Sequence, residues 1–205
     1  PGGQQRMERL LTPAQNELAA HDVRTGERLW RVGGDESLNP SSPLAGYYFL
    51  GAPLPWEGVL YVLAEKGTRI YLLAIDPLDG TLAWELPLSN VDREISNSPL
   101  RRIVGLTPSA SGGMLVCPTG HGTIAAVDPL SRSLIWGFAY DLENASRNVF
   151  GRRGQRFQVN PDPSGRWTDA SLILGENCVI ATPPDSPDLY CLDLISGRLR
   201  WTTSR

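Results

Sequence analysis

The sequence predicts an all-β chain, and more specifically a partial β-propeller of four-stranded antiparallel blades. Two observations carry this prediction. One 13-residue pattern occurs four times along the 205 residues, and 17 prolines and 21 glycines punctuate short apolar runs throughout the chain. Repeats of about 50 residues, each holding several short strands, are typical of propellers, because a single repeat cannot bury its own faces.

The repeated pattern is an apolar run, an aspartate, a tight turn, a second apolar run and a tryptophan. The tryptophan follows the aspartate by eight residues in every copy, and a small residue (Ala in three copies, Cys in the fourth) precedes the aspartate by two. The recurring positions are Asp22, Gly26, Trp30, Asp76, Gly80, Trp84, Asp128, Trp136, Asp193, Gly197 and Trp201. A carboxylate that accepts backbone N–H groups, followed by a glycine that supplies a positive φ, predicts a β-hairpin in each copy.

The four tryptophans predict how successive blades pack against each other. A large indole beside a small residue needs a matching small surface on a neighbouring strand or sheet. Their regular recurrence favours blade-to-blade packing over cofactor stacking, just as the recurrence of the aspartates favours turns over metal ligands. Arg132 replaces the glycine in the third copy, and there we expect a type I turn or a strained turn.

The repeats divide the chain into five segments. Residues 1–34 are predicted to be the end of a first blade, 35–90 a second blade with an extended outer segment, and 91–140 a third blade. Residues 141–166 form an Arg-rich inserted loop, and 167–205 a fourth blade whose closing hairpin is the last element. This division amounts to about three complete blades and part of another. Since closed propellers have at least four blades, the chain is interpreted as a truncated piece of a larger propeller.

The composition argues against several classes of function. The formal net charge of −3 gives no polyanion-binding surface, so no nucleic-acid partner is expected. No run of 18 apolar residues occurs, so we expect no direct membrane span in this segment. The three cysteines lack a C-x-x-C spacing. Cys178 and Cys191 are expected on neighbouring strands, where a bridge is geometrically possible but buried free thiols are favoured.

Candidate catalytic residues are few. Only two histidines occur: His21 lies inside a repeat hairpin, and His121 lies between two glycines of a turn. His21 is most simply a structural variant, and His121 is more often an ordinary turn residue than a ligand. No H-E-x-x-H, G-x-S-x-G or P-loop pattern is present. The sequence therefore predicts no catalytic, cofactor-binding or metal-binding residue.

The inserted loop is the one unusual surface. It carries a set of arginines and an aromatic residue, namely Arg147, Phe150, Arg152, Arg153 and Arg156. Guanidinium groups beside an aromatic ring could bind an anionic ligand or a partner strand, so this is a possible partner-binding loop. A plain solvated loop has the same composition, and the sequence favours that alternative.

The repeat, written Ala-x-Asp-x-x-(Thr/Ser/Asp)-Gly-x-x-x-Trp, resembles the tryptophan-docking repeat of pyrroloquinoline-quinone-like (PQQ-like) β-propellers. That family includes quinoprotein alcohol dehydrogenases and a non-catalytic lipoprotein of bacterial outer-membrane protein assembly. Its enzymes use adjacent cysteines over the quinone, a tryptophan beneath it and a Glu/Asn/Asp set that holds Ca²⁺. This sequence has no Cys-Cys pair and no stretch that supplies the calcium set, so it is closer to the non-catalytic members.

The resemblance, with no catalytic constellation, predicts a non-catalytic binding or scaffold module of a larger bacterial cell-envelope protein. The expected partners are proteins or the remaining blades of the same chain, with no cofactor. The resemblance implies the periplasm or the cell envelope as the location. Two alternatives stay open: a fragment of a PQQ- and calcium-dependent quinoprotein dehydrogenase, and a sensor ectodomain with a small ligand in its central funnel.

Overall fold

The computed structural model describes residues 15–38, 40–102, 104–141, 149–150, 156–157, 169–170 and 172–204. Within these ranges the secondary structure is almost entirely strand, which confirms the all-β prediction. The helical part comprises a 3₁₀ turn and one four-residue helix, both in the link that follows the second sheet.

The described strands form one hairpin at the start, three larger sheets and two further pairs of short strands. The hairpin consists of β1 (Glu17–His21) and β2 (Arg28–Gly33). Sheet two consists of β3 (Tyr48–Phe49), β4 (Leu54–Trp56), β5 (Val59–Lys66), β6 (Arg69–Ile75) and β7 (Leu82–Asn90). The link that follows holds the 3₁₀ turn (Ile95–Asn97), α1 (Pro99–Arg102) and β8 (Gly105–Leu106). Sheet three consists of β9 (Ser109–Ser111), β10 (Met114–Pro118), β11 (Thr123–Asp128) and β12 (Ser133–Ala139). After it come β13 (Val149–Phe150), β14 (Arg156–Phe157) and β15 (Asp169–Ala170). Sheet four consists of β16 (Leu172–Leu174), β17 (Cys178–Ala181), β18 (Asp188–Asp193) and β19 (Leu199–Ser204).

Each large sheet is an antiparallel meander with four strand positions. Sheets three and four follow the chain order β9-β10-β11-β12 and β16-β17-β18-β19. In sheet two, the short strands β3 and β4 both pair with β5, with Tyr48 opposite Glu65 and Leu54 opposite Tyr61, so together they fill one position. The four-stranded antiparallel blades predicted from the sequence are therefore confirmed.

The repeated pattern forms the hairpin that closes each sheet. In the first copy, the Asp22 carboxylate accepts the N–H groups of Thr25 (2.9 Å) and Arg24 (2.8 Å), and these bonds hold its pKa below the usual value. The Asp22 carbonyl accepts the Gly26 N–H at 2.8 Å. The equivalent bonds from Gly80 and Gly197 to the preceding aspartates are both 2.9 Å long.

The small residue two positions before each aspartate lies directly opposite the tryptophan. The four pairs are Ala20 with Trp30, Ala74 with Trp84, Ala126 with Trp136, and Cys191 with Trp201. The pairing register shifts immediately after this small residue in all four hairpins. A bulge increases the local twist and re-aims the strand, so it helps to orient the indole towards the next sheet.

Arg132 adopts the strained form of the third turn. Its φ is +55°, in the same left-handed region as Gly26 (+73°), Gly80 (+77°) and Gly197 (+68°). The expected strain is therefore present, because the hairpin imposes the glycine conformation on a residue with a Cβ. Backbone strain of this kind costs about 1–3 kcal/mol.

The core consists of three apolar clusters, one between each pair of successive sheets. Alternate residues of β5 enter two of them: Val62 belongs to the cluster shared with the first hairpin, and Leu63 to the cluster shared with sheet three. In β10, Leu115 and Val116 divide in the same way between sheets two and four. Strands buried on both faces need continuous apolar runs, which is why Val-Leu-Tyr-Val-Leu-Ala appears in the sequence.

The inner segments of successive sheets lie side by side. The Leu106 N–H donates to the Leu50 carbonyl at 3.0 Å, and Leu106 pairs in parallel with Ala170 of β15. A Cβ on Gly51 would lie 2.4 Å from the Leu106 oxygen, so only glycine fits there. These contacts bring β8 and β15, which precede sheets three and four, beside the segment that follows β3.

Replacing Gly80 by valine should be more costly than the same change at Gly67. Both residues have a positive φ, but a Cβ at Gly80 would lie 2.8 Å from Cε3 of Trp30, whereas nothing lies within 4 Å of one at Gly67. Strain alone costs about 1–3 kcal/mol, and the clash at Gly80 should add about 1–3 kcal/mol. Urea unfolding of the two variants measures the difference, and equal losses would show that the indole contact is unimportant.

Candidate functional site

Two joints between sheets share one docking geometry. Trp30 of β2 donates from Nε1 to the Pro77 carbonyl at 2.9 Å, and its ring covers Gly80. Trp136 of β12 likewise donates from Nε1 to the Leu194 carbonyl at 2.9 Å, and its ring covers Gly197, where a Cβ would lie 2.5 Å from Cδ2. In each case the tryptophan of one sheet docks on the hairpin turn of the next. Trp30 and Trp136 thus lie where successive sheets pack against each other.

The joint between sheets two and three is different. The turn that Trp84 would cover has Arg132 in place of glycine. Trp84 is half-buried and packs beside Tyr61, with ring centroids 5.9 Å apart. Among the described residues, the Trp84 indole N–H has no counterpart to the carbonyl bond of the other two joints. This joint therefore depends on other contacts.

A buried ion pair closes that same joint. Glu65, at the end of β5, accepts the Ile95 N–H at 2.6 Å and is paired with Arg101 of α1. Burial raises the pKa of Glu65, while the attraction of Arg101 opposes the rise. His121 lies nearby, with Nε2 3.8 Å from Asp92 Oδ2. The link also buries Ile95 in the cluster shared by sheets two and three.

A second polar contact closes the joint between sheets three and four. Asp185, in the loop between β17 and β18, accepts the Tyr140 hydroxyl at 2.8 Å and the Gly122 N–H at 2.9 Å. Burial, with the adjacent carboxylate, raises the pKa of the Tyr140 phenol. Glu65 and Tyr140, both buried, therefore hold successive sheets together.

A cleft of about 340 Å³ lies beside the inner strands. Its lining is Asn16, Glu17, Leu18, Tyr48, Phe49, Leu50, Gly51, Ala52, Pro53, Arg102, Val104 and Gly105. Asn16 extends β3, because its side chain donates to the Phe49 carbonyl and accepts the Phe49 N–H, both at 2.7 Å. Glu17 pairs with Arg31 at 3.4 Å, and Arg102 donates to the Ile95 carbonyl at 3.1 Å.

The chemistry of this lining suits binding. Apolar side chains, exposed backbone and a few fixed polar groups are typical of ligand and partner clefts. The described lining residues contain no nucleophile paired with a base, the arrangement that covalent catalysis requires. The sequence gives no sign of this cleft, since it is formed by three segments that are distant in the chain.

The structure places the remaining candidates as follows. Arg147, Arg152 and Arg153 lie outside the described residues. Phe150 and Arg156 are opposite each other in the antiparallel pair β13–β14. His21, the structural variant, lies within its own hairpin, with Nδ1 3.0 Å from the Gly26 carbonyl oxygen.

The described residues do not fit a quinone and calcium site. Among them, no group of three His, Cys, Asp or Glu residues is arranged to hold a metal ion. Cys117, Cys178 and Cys191 are free thiols, and no two cysteines are adjacent in the sequence. None of the helices in the described ranges is long and apolar enough to cross a membrane.

Removing Arg101 should destabilise the protein in a pH-dependent way. Arg101→Ala leaves the buried Glu65 carboxylate without its ion-pair partner, which should cost about 2–4 kcal/mol at neutral pH. Burial raises the folded-state pKa of Glu65 above the unfolded value. Protonated Glu65 therefore makes its full contribution to stability below the pKa of the unfolded state. This contribution is lost as the pH rises through the pKa of the folded state. The loss in Arg101→Ala should shrink as pH falls through that range.

Urea unfolding at a series of pH values measures this effect. Adding Glu65→Gln to the Arg101→Ala variant is the control, because glutamine still accepts the Ile95 N–H without carrying a charge. The double variant should recover most of the stability at neutral pH and lose the pH dependence. A loss that is the same at every pH would contradict the account.

Comparison with known proteins identifies the family and the fold of this chain. A family model described as outer membrane protein assembly factor BamB matches residues 9–153. No match was found among curated proteins. Among solved structures, BamB from Moraxella catarrhalis is 15% identical with a TM-score of 0.53, over 92% of this chain and 42% of that chain.

The solved structures of two dehydrogenases are similar to this chain to about the same extent. Quinohemoprotein alcohol dehydrogenase from Pseudomonas putida HK5 is 16% identical with a TM-score of 0.55, over 92% of this chain and 31% of that one. A europium-containing methanol dehydrogenase is 14% identical with a TM-score of 0.55, over 92% and 38%. The chain thus spans 31% to 42% of the length of these three proteins. At such identities the likeness shows the fold, a β-propeller.

The repeats, the docked tryptophans and the family match all indicate the same family. The match over residues 9–153 covers more than half of the chain. The chain therefore belongs to the family of outer membrane protein assembly factor BamB, which is built from PQQ-like repeats.

Proposed function

We propose that the chain is a non-catalytic β-propeller module that binds protein partners within a larger bacterial cell-envelope protein. The observation that carries the proposal is the cleft beside the inner strands, with its apolar side chains and its Glu17 carboxylate paired with Arg31. The two charged residues of the lining make contacts within the fold, Glu17 with Arg31 and Arg102 with the Ile95 carbonyl. Membership of a family named for an assembly factor supports the same role.

The inserted loop is the second proposed contact. It carries Arg147, Phe150, Arg152, Arg153 and Arg156. Guanidinium groups bind carboxylates in a bidentate manner and stack on aromatic rings, so they suit an acidic protein surface better than a neutral one. The proposed partner therefore presents carboxylates near the loop and an apolar segment to the cleft.

Site-specific crosslinking tests this proposal. A photo-reactive phenylalanine analogue at Pro53, in the cleft lining, should give a discrete crosslinked species when the protein is expressed in a bacterial envelope. The same analogue at Leu130, which is 87% exposed on the third hairpin turn, should give none. Mass spectrometry then identifies the crosslinked protein. Equal labelling from both positions would show that the cleft has no special role.

The contribution of the loop is tested by reversing its charge in the same crosslinking experiment. Arg152→Glu combined with Arg153→Glu should lower the crosslink yield from Pro53 about tenfold, because like charges then oppose the acidic partner. The control is Arg24→Glu combined with Arg28→Glu, which makes the same charge change on the exposed first hairpin. A loss of yield in both pairs would mean that net charge, rather than the loop, determines binding.

A separate titration examines the quinoprotein alternative. Calorimetry with pyrroloquinoline quinone and Ca²⁺ should show no binding heat, and a dye-linked alcohol oxidation assay should show no turnover. This expectation follows because no described set of side chains supplies the calcium ligands. Tight binding with turnover would overturn the non-catalytic assignment.

A further inference from the structure

Two of the three cysteines lie on adjacent strands of sheet four and on the same face of it. Cys178 begins β17, and Cys191 of β18 lies opposite Ile180, so the two cysteines are diagonal neighbours in this antiparallel pair. Val179 and Leu192 point to the other face, into the cluster shared with sheet three. The Cys178 thiol is within hydrogen-bonding reach of the Cys191 thiol. The two sulfur atoms therefore face each other across the strand pair.

Sheet three has no thiol at the two corresponding positions. Ala126 corresponds to Cys191, because each lies opposite the tryptophan of its own hairpin. Met114 corresponds to Cys178, because each lies two residues before the residue that faces this small side chain. The repeat fold therefore needs no sulfur pair at these positions, and the facing thiols are a feature of sheet four.

A positive charge lies beside the two thiols. Arg200 of β19 pairs with Asp193 at 2.7 Å, and its charge acts on both sulfur atoms. Burial and then the neighbouring Cys178 raise the pKa of the Cys191 thiol, whereas the attraction of Arg200 opposes this rise. Since the thiolate is the reactive form of cysteine, the guanidinium favours the state that disulfide chemistry needs.

We propose that Cys178 and Cys191 are a redox modification site, at which a small-molecule disulfide such as oxidised glutathione converts the two thiols into an intramolecular disulfide. Cys178 is partly exposed, whereas Cys191 is buried, so the Cys178 thiolate attacks first. It forms a mixed disulfide with one glutathione and releases the other. The Cys191 thiolate then attacks the Cys178 sulfur and expels the second glutathione.

The reaction balances as a two-electron exchange. The protons of the two cysteines pass to the two glutathione thiolates, and the protein is oxidised as the glutathione disulfide is reduced. This inference is independent of the proposed partner cleft, since neither cysteine lines that cleft.

The new bond would brace the joint between sheets three and four. The segment from Cys178 to Cys191 contains Asp185, which accepts the Tyr140 hydroxyl and the Gly122 N–H from sheet three. A cross-link that closes a loop of about 15 residues restricts the unfolded chain and so stabilises the folded one. The oxidised protein should therefore hold this loop, and with it the joint, more firmly than the reduced protein.

Thiol labelling of the purified 205-residue protein tests the modification. After denaturation, the reduced protein should take three maleimide labels, whereas protein incubated with oxidised glutathione should take one, on Cys117. Trypsin releases residues 167–198 as one peptide that holds both other cysteines, and its unlabelled oxidised form should be lighter by two hydrogen atoms. Labelling of all three cysteines after the incubation, or glutathione retained on Cys178 without an internal bond, would overturn the inference.

Thermal unfolding shows whether the bond braces the fold. The oxidised wild-type protein should unfold about 5–10 °C above the reduced protein. Cys178→Ser cannot form the bond, so its unfolding temperature should be the same with oxidised glutathione and with reductant. Cys117→Ala is the matched control and should keep the full shift. Each variant is compared with itself in two redox states, so a folding defect cannot imitate the result. No shift in the wild-type protein, or an equal shift in Cys178→Ser, would contradict the proposed brace.

Discussion

The stacking of an indole on a glycine turn is the contact on which the rest of the structure depends. Trp136 shows why the pattern is strict: it must reach the Leu194 carbonyl and leave no room for a Cβ at Gly197. A fixed distance from aspartate to tryptophan keeps the turn and the indole of each hairpin in register. The small residue opposite the tryptophan and the bulge after it then set the direction of the ring. In each of the two complete joints, the earlier sheet supplies the indole and the later sheet supplies the turn.

The joint between sheets two and three shows what happens when one part of this contact is lost. Arg132 has the φ of a glycine, but its Cβ occupies the surface that an indole would cover. The link after sheet two supplies other contacts at this joint. It buries Ile95 between the two sheets and fixes it to Glu65, which pairs with Arg101. Since each repeat contacts only its neighbours, such a local replacement can keep the array continuous without changing the other joints.

Much of the fold was predictable because it follows from local chemistry that repeats. The Asp22 turn, the glycine φ values and the four-stranded sheets each depend on residues within one repeat. The contacts that were missed join distant segments. Asp185 binds Tyr140, Asn16 binds Phe49, and the cleft is lined by three segments that include Asn16, Phe49 and Gly105. One signal was present in the sequence. Glu65 ends a continuous apolar run of a central strand, and a charge at such a position needs a partner.

The docking contact is directional, and this property constrains any assembly built from the chain. In both complete joints the tryptophan belongs to the earlier sheet and the turn to the later one. The two outer faces of the described sheets are therefore different: one presents an indole and the other a turn. Identical faces cannot pair through this contact, so any association that uses it is heterologous. A heterologous contact either closes into a ring or grows without limit, and the rotation between successive sheets decides which. The same angle that sets the blade number of a propeller thus sets the size of such an assembly.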